Sequence, residues 1–359
     1  MTTLGGFAGY ALLLSVVPLW AVVGGAGEIA AGATNAVFML VTVATQLAMP
    51  WLLKRVDHRL ALGMGTVLIG APTPLFALSS DLWLLLCVSG LRGVGFGLLT
   101  VTGSALVAEL VPVTQRGRAA GLYGLAVGLP NIVFLPAGVW LAQHIGFAPL
   151  FWIAAGLPVV AAAAVVGIAR VHARSVGRGG APTVPGTLLA PWTVMTAVAV
   201  AAGGLVAFLP LAVAGSVAPA ALMVFAATTM LGRWLAGQLG DRLGHTRVLL
   251  PAVVATALGT FLVAAASWGA GPLAVVGAVA FGAGFGAAQN ITLVAMFDRA
   301  ESGVASTAWN VAYDAGNGLG SIGFGLLVTL TGYPTAFIAA ALLVALCTPL
   351  ATRAHRRHG

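Results

Sequence analysis

The sequence predicts an all-α polytopic membrane protein, with twelve transmembrane helices in two pseudo-symmetric six-helix bundles. Three observations carry that expectation. Of 359 residues, 60% are hydrophobic and only 7% charged, where soluble domains carry roughly a quarter charged. Apolar runs near 7–26, 60–79, 148–169, 248–267 and 334–352 each match the ~20 residues that cross a bilayer as a helix. Basic residues gather in every second loop: Lys54, Arg55 and Arg59; Arg116 and Arg118; Arg170, Arg174 and Arg178; Arg242 and Arg247; Arg353, Arg356 and Arg357. The loops between them hold no Lys or Arg. This positive-inside pattern predicts both termini in the cytoplasm and an even number of spans.

Taken in order, the expected spans are 6–25, 30–53, 60–79, 82–110, 119–142 and 148–169, then 190–212, 216–239, 248–267, 272–297, 303–330 and 334–352. The first lacks a basic leading segment and a cleavage site, so it reads as a span rather than a signal peptide. The 49 glycines and 18 prolines fit membrane helices, where small residues let backbones approach closely. Residues 171–189 open with VHARSVGRGGAPTVPGT and show no apolar periodicity. They read as a cytoplasmic linker between an N-terminal bundle, 1–170, and a C-terminal bundle, 190–359.

The two bundles repeat one another. The third span of each follows a short basic turn, at 54–59 and 241–247. The fourth is Gly-rich in both: LRGVGFGLLTVTGSALVAELVP against VGAVAFGAGFGAAQNITLVAMFDRA. Duplication on this scale is typical of secondary transporters, whose substrate sites lie at the midplane between repeats.

Several classes are excluded. The net charge of +8 is spent on topology, so anionic lipid headgroups and not nucleic acid are the expected partners. Cys87 and Cys347 fall inside spans, which argues against a disulfide framework. The histidines lie in loops or the tail without metal-ligand spacing, and no Walker-type loop is present. The chain is therefore expected not to be an enzyme, and to use no metal or cofactor. A proton gradient is the expected energy source, and a monomer the expected state. One lysine against fifteen arginines suggests a GC-rich bacterial genome, hence a bacterial inner membrane.

Few ionisable residues lie deep in spans, where each costs ~2.5–3.5 kcal/mol even on the lenient insertion scale. Arg92 and Asp314 fall near mid-membrane. Asn310, Tyr313, Asp314 and Asn317 follow i, i+3, i+4, i+7 spacing and share one helix face. That stripe reads either as a polar seam between helices or as pathway lining with a titratable carboxylate. A carboxylate that moves between water and an apolar or arginine-bearing wall changes its affinity for a proton. Tyr10, Trp20, Asn35, Asn131, Gln289 and Asn290 complete a mixed apolar and amide lining suited to an amphiphilic small molecule. Glu28, near the outer end of the first helix, is a solvated mouth residue or a proton entry point. Glu109, Asp298 and Glu301 lie beside arginines at helix ends.

Gly237-Gln238-Leu239-Gly240-Asp241-Arg242-Leu243-Gly244-His245-Thr246-Arg247 resembles the cytoplasmic motif G-x-L-x-D-R-x-G-R-[KR]-x of the major facilitator superfamily, with His245 and Thr246 at usually basic positions. Arg92-Gly93-Val94-Gly95-Phe96-Gly97 is similar to the fourth-helix motif R-x-x-x-G-x-G. Gly128-Leu129-Pro130-Asn131 and Leu135-Pro136-Ala137-Gly138 resemble the fifth-helix signature of the exporters, except that Ala137 stands where glycine is usual.

The resemblance implies that the first, fourth, seventh and tenth helices line a cavity, while the second and eleventh pack across the halves. It implies that Arg92 belongs to a proton-coupling element, and Arg92 and Asp314 are then expected to modulate each other, directly or through water. It also implies a drug or metabolite exporter; an importer, a uniporter or a non-transporting receptor on the same scaffold are the alternatives.

The cytoplasmic gate is expected to comprise Arg233, Gly237, Asp241, Arg242, Gly244 and Arg247, with Asp241 pairing Arg233 or Arg242. In the first half, Lys54 replaces the acid and Pro50 the glycine, leaving Asp57 as a late substitute. Asp241→Asn should therefore shift the outward/inward balance far more than Asp57→Asn. A cysteine-accessibility assay of the cytoplasmic gate measures this, and equal effects would sink the asymmetry.

Overall fold

The computed structural model describes residues 1–53, 55–110, 116–167, 186–213, 215–300 and 302–351. Among these residues the regular structure is entirely helical, and every expected span is a helix. The first is made of two pieces, α1 (Thr2–Leu14) and α2 (Val16–Val23), broken at Ser15. Pro18 explains the break, because it has no N–H to donate to the carbonyl of Leu14 and its ring crowds that position.

The remaining helices of the first half are α3 (Gly27–Leu52), α4 (His58–Gly70), α5 (Leu82–Leu110), α6 (Arg116–Ile145) and α7 (Phe147–Ala163). Those of the second are α8 (Leu189–Ala212), α9 (Val217–Leu243), α10 (His245–Ala266), α11 (Pro272–Phe297), α12 (Ser302–Thr331) and α13 (Tyr333–Ala345). The third span stops being α-helical at Gly70, since Pro72 and Pro74 follow, and it continues as a 3-10 turn, Thr73–Ala77. Gly146 (φ 81°) starts α7 and Gly244 (φ 88°) separates α9 from α10. Both reversals use a backbone region that residues with a Cβ avoid.

Ten of these helices or helix pairs are long and apolar enough to cross a bilayer. The helix α7 is apolar but shorter, and α12 spans 30 residues with a polar stripe. The outward-facing side chains agree with a lipid environment. Leu40, Trp83, Trp152, Leu258 and Leu330 are all more than half exposed, a surface that water would not tolerate. At the end of α3, Arg55 lies 4.2 Å over the ring of Trp51, a pairing suited to the headgroup level.

Contacts divide the chain into two compact units: Met1–Ala26 with Val37–Gly180, and Gly27–Ala36 with Ala181–Gly359. The first ten residues of α3 thus count with the second unit. In the first unit, α1 packs on α6 and α7, and α4 on α5. Gly65 and Gly95 face one another across α4 and α5, where an added Cβ on either would meet the other's carbonyl within 3 Å. Met49, Leu53, Ala61 and Leu98 form a core beneath the basic turn.

In the second unit, α11 lies between α9 and α10, and α8 packs on α12. Gly282 and Gly286 of α11 sit against the backbone of Phe225 and Thr229, while Gly203 of α8 sits against Asn317. Gly32 near the start of α3 meets the backbone of Ser321. Small residues at every crossing bring helices close enough for dispersion to hold them.

The threonines follow one rule. Thr45, Thr66, Thr196, Thr229, Thr256, Thr260 and Thr329 each donate to the carbonyl four residues back, at 2.7–2.9 Å. Their hydroxyls are absorbed by their own helices. Thr102 bonds Leu98 in the same way.

Candidate functional site

One arginine in each unit, Arg92 and Arg233, lies well inside a span and not at its end, and both keep aromatic company. Arg92 of α5 is 4% exposed. Its Nε donates to the carbonyl of Ile69 at 3.0 Å and its Nη2 to the carbonyl of Gly9 at 2.9 Å. Its guanidinium lies 5.8 Å from the ring centres of Phe38 and Phe76. Ile69 belongs to the last turn of α4, where carbonyls lack helical partners. Arg92 therefore ties the end of α4 to α1, using the planar fork that a lysine lacks. Tyr10, 7% exposed, stacks on Phe96 at 4.2 Å and Phe38 at 5.6 Å.

In the second unit, Arg233 of α9 reaches Gln289 of α11, its Nη1 donating to Oε1 at 3.5 Å. Its guanidinium stands 5.8 Å over Trp309 of α12. The indole N–H of Trp309 donates to Thr292 Oγ1 at 3.1 Å. Trp309 stacks on Tyr313 at 5.4 Å, and Tyr313 on Phe285 at 6.1 Å. Three near-parallel rings thus run on from one cation.

The expected polar stripe of α12 lies on one helix, but its members differ in setting. Asp314 is 4% exposed and Asn317 8%, whereas Asn310 is exposed and Tyr313 half-buried. Asn310 and Asn317 donate their amides to carbonyls four residues back, at 3.0 and 2.9 Å. Asn131 does the same toward Val127 at 2.9 Å. These three amides are held by their own helices. Trp20 donates to the carbonyl of Phe76 at 3.0 Å and packs on Phe147, a packing role near the end of its helix. Asn35 is buried. Asn290 has a buried Oδ1 without a hydrogen-bond partner among the described residues, and its amide nitrogen lies beside Gly237. Glu28 belongs not to the first helix but to the first turn of α3, beyond the turn at Gly25 and Gly27; it is half-buried and accepts a hydrogen bond from Tyr333 at 3.2 Å, within the second unit.

Of the gate residues, Arg242 and Arg247 are exposed and Gly244 makes the turn. Asp57 precedes the first turn of α4 without capping it, and its Oδ1 is buried without a partner among the described residues. Lys54 and the side chain of Asp241 lie outside the described residues, and so does the expected pairing of Asp241. Glu109 and Glu301 fall there too. No group of three or more metal-ligating side chains occurs among the described residues.

Sequence reasoning missed Trp309, Thr292, Phe285, Phe38 and Phe96. Trp309 was within reach, since it precedes Tyr313 by four and extends the same face of α12. The phenylalanines carry no signal in one dimension, because Phe residues fill apolar spans everywhere.

The chain matches the sequence model of the Major Facilitator Superfamily over residues 1–320 and again over 211–358. Over 119 residues it is 34% identical to an uncharacterised MFS-type transporter of Mycobacterium tuberculosis, covering 30% of this chain and 17% of that protein. Over 124 residues it is 28% identical to the riboflavin transporter RibZ of Clostridioides difficile, covering 34% of this chain and 27% of RibZ. The matched stretches are thus a small part of either relative. Among solved structures, the fold is similar to that of the xylose transporter XylE from E. coli in a partially occluded inward-open conformation. The TM-score is 0.78 at 14% identity, over 98% of this chain and 95% of XylE. It is also similar to a bacterial homologue of the human lysosomal transporter Spinster, with a TM-score of 0.75 at 15% identity over 99% of this chain and 95% of that one.

Proposed function

This chain belongs to the major facilitator superfamily, and on that premise we propose that it is a secondary active transporter, a proton antiporter exporting a hydrophobic or amphiphilic small molecule by alternating access. Asp314 carries the reading. It is a buried carboxylate about 18 Å along α12 from its first residue, at 1.5 Å per residue, where a group of this kind is retained for function. The fifth-helix pattern around Pro130 and Pro136 supports export, and the similarity to a riboflavin transporter supports a small organic substrate. Arg92, Asp314 and Glu28 are the proposed proton-coupling groups. The membrane is proposed to be a bacterial inner membrane, with both termini in the cytoplasm.

The test is transport in everted vesicles with an imposed pH gradient, using riboflavin and ethidium as fluorescent probes. Antiport predicts probe accumulation inside the acidified vesicle, collapsing when a protonophore is added. Movement with the proton would replace antiport by symport. Equilibration alone, unaffected by the gradient, would leave facilitated diffusion.

A further inference from the structure

Resting on the reading of the chain as a transporter of amphiphilic molecules, we propose that Arg233 and the ring ladder beside it bind an aromatic organic acid, the guanidinium taking its carboxylate and the ladder its ring. The first argument is where Arg233 points. The exposed apolar side chains of α9, among them Met223, Leu231, Trp234, Leu235 and Leu239, form one stripe. Arg233 is exposed too, yet it lies roughly 200° around the helix from Leu231, at 3.6 residues per turn. A cation exposed on the side away from the apolar stripe meets water or solute and not acyl chains.

The second argument is its company. Among the described residues no carboxylate lies within ion-pair distance of Arg233, and its hydrogen bond goes to a neutral amide at 3.5 Å. A guanidinium offers five N–H groups, and the bond to Gln289 uses one of them. Planar, charge-assisted pairing with a carboxylate is what that geometry suits best.

The third argument is depth and shape. Arg233, Gln289 and Trp309 sit about 10–15 Å in from the ends of their helices nearest the basic turns, at 1.5 Å per residue, so three helices bring them to one level. Thr292 holds the indole of Trp309 in place. Tyr313 is the middle ring, stacked on Trp309 and Phe285, and it is half-buried, so the part it leaves open is its rim. An anchored acid would bring its ring against that rim, in the edge-to-face arrangement that aromatic pairs also adopt.

Equilibrium titration of the purified full-length protein in detergent tests this, with 2-naphthoate and its neutral isostere 2-naphthamide as probes. The acid should bind at least about tenfold tighter than the amide, the scale of one charge-assisted contact. R233Q should bring the two affinities together. R233K keeps the charge without the fork, so its ratio should fall between those of wild type and R233Q. Y313L should weaken both probes by a similar factor and leave their ratio intact. Equal wild-type affinities, no binding of either probe, or a ratio unchanged in R233Q and R233K overturns the proposal. No gradient enters the measurement, so a failure of proton coupling leaves it standing. Conversely, loss of the acid preference leaves export of other amphiphiles untouched.

Discussion

Asp314→Asn is expected to leave a folded protein that no longer converts a proton gradient into substrate movement. Asparagine keeps the volume and the hydrogen-bonding oxygen of Asp314 but cannot exchange a proton. In proteoliposomes with an imposed pH gradient, accumulation of the transported probe should fall to that of empty liposomes. Exchange of labelled for unlabelled probe at equal pH should persist, because it needs alternation and not protonation. Arg92→Lys should also impair gradient-driven transport, and it should lower the melting temperature as well. One ammonium cannot reproduce the two carbonyl bonds to Ile69 and Gly9. If gradient-driven accumulation survives in both variants, neither residue couples proton movement, and Asp314 is part of a polar seam.

Gly286→Ala is expected to cause a large loss of folded protein. A Cβ at Gly286 would overlap the carbonyl oxygen of Thr229 on the facing helix. No rotamer can relieve this, since the backbone fixes where a Cβ lies and the oxygen it meets is backbone, and α9 and α11 would have to separate along a seam that Gly282 shares. Overpacking of this kind costs upward of ~3 kcal/mol. Gly156→Ala is the matched control, because a Cβ there meets nothing within 4 Å. Size-exclusion profiles and melting curves of the two variants in detergent should separate them clearly. Similar behaviour of both would mean that α9 and α11 can slide apart without penalty.

Most of the fold is legible in the sequence, because lipid imposes a simple rule on every span. The tenth span was expected at 272–297 and is helical from Pro272 to Phe297. The eleventh was expected at 303–330 and runs Ser302–Thr331. Hydropathy does not foresee the internal irregularities, which come from single prolines acting on backbone hydrogen bonds. Pro18 divides the first span and Pro72 with Pro74 tightens the end of the third. The sixth, expected at 148–169, is α-helical from Phe147 to Ala163 and continues as a 3-10 turn to Gly167, where the described residues stop.

The site was less legible. The loop motif groups Arg233 with Asp241 by proximity in the chain, whereas Gln289 and Trp309 reach it from positions 56 and 76 residues further along. The amides of Asn131, Asn310 and Asn317 looked available in one dimension. Their capture by carbonyls one turn back depends on rotamers that composition does not encode.

The back-bonded threonines have a consequence for how specificity could change over time. With each of these hydroxyls turned into its own helix, what the side chain offers its surroundings is largely a methyl group. The chemical vocabulary open to a substrate is therefore far smaller than the count of polar residues suggests. On the function proposed above, it is concentrated in a handful of side chains such as Arg233, Gln289 and Asp314. A protein built this way can acquire a new cargo through one or two substitutions while its scaffold stays as it is.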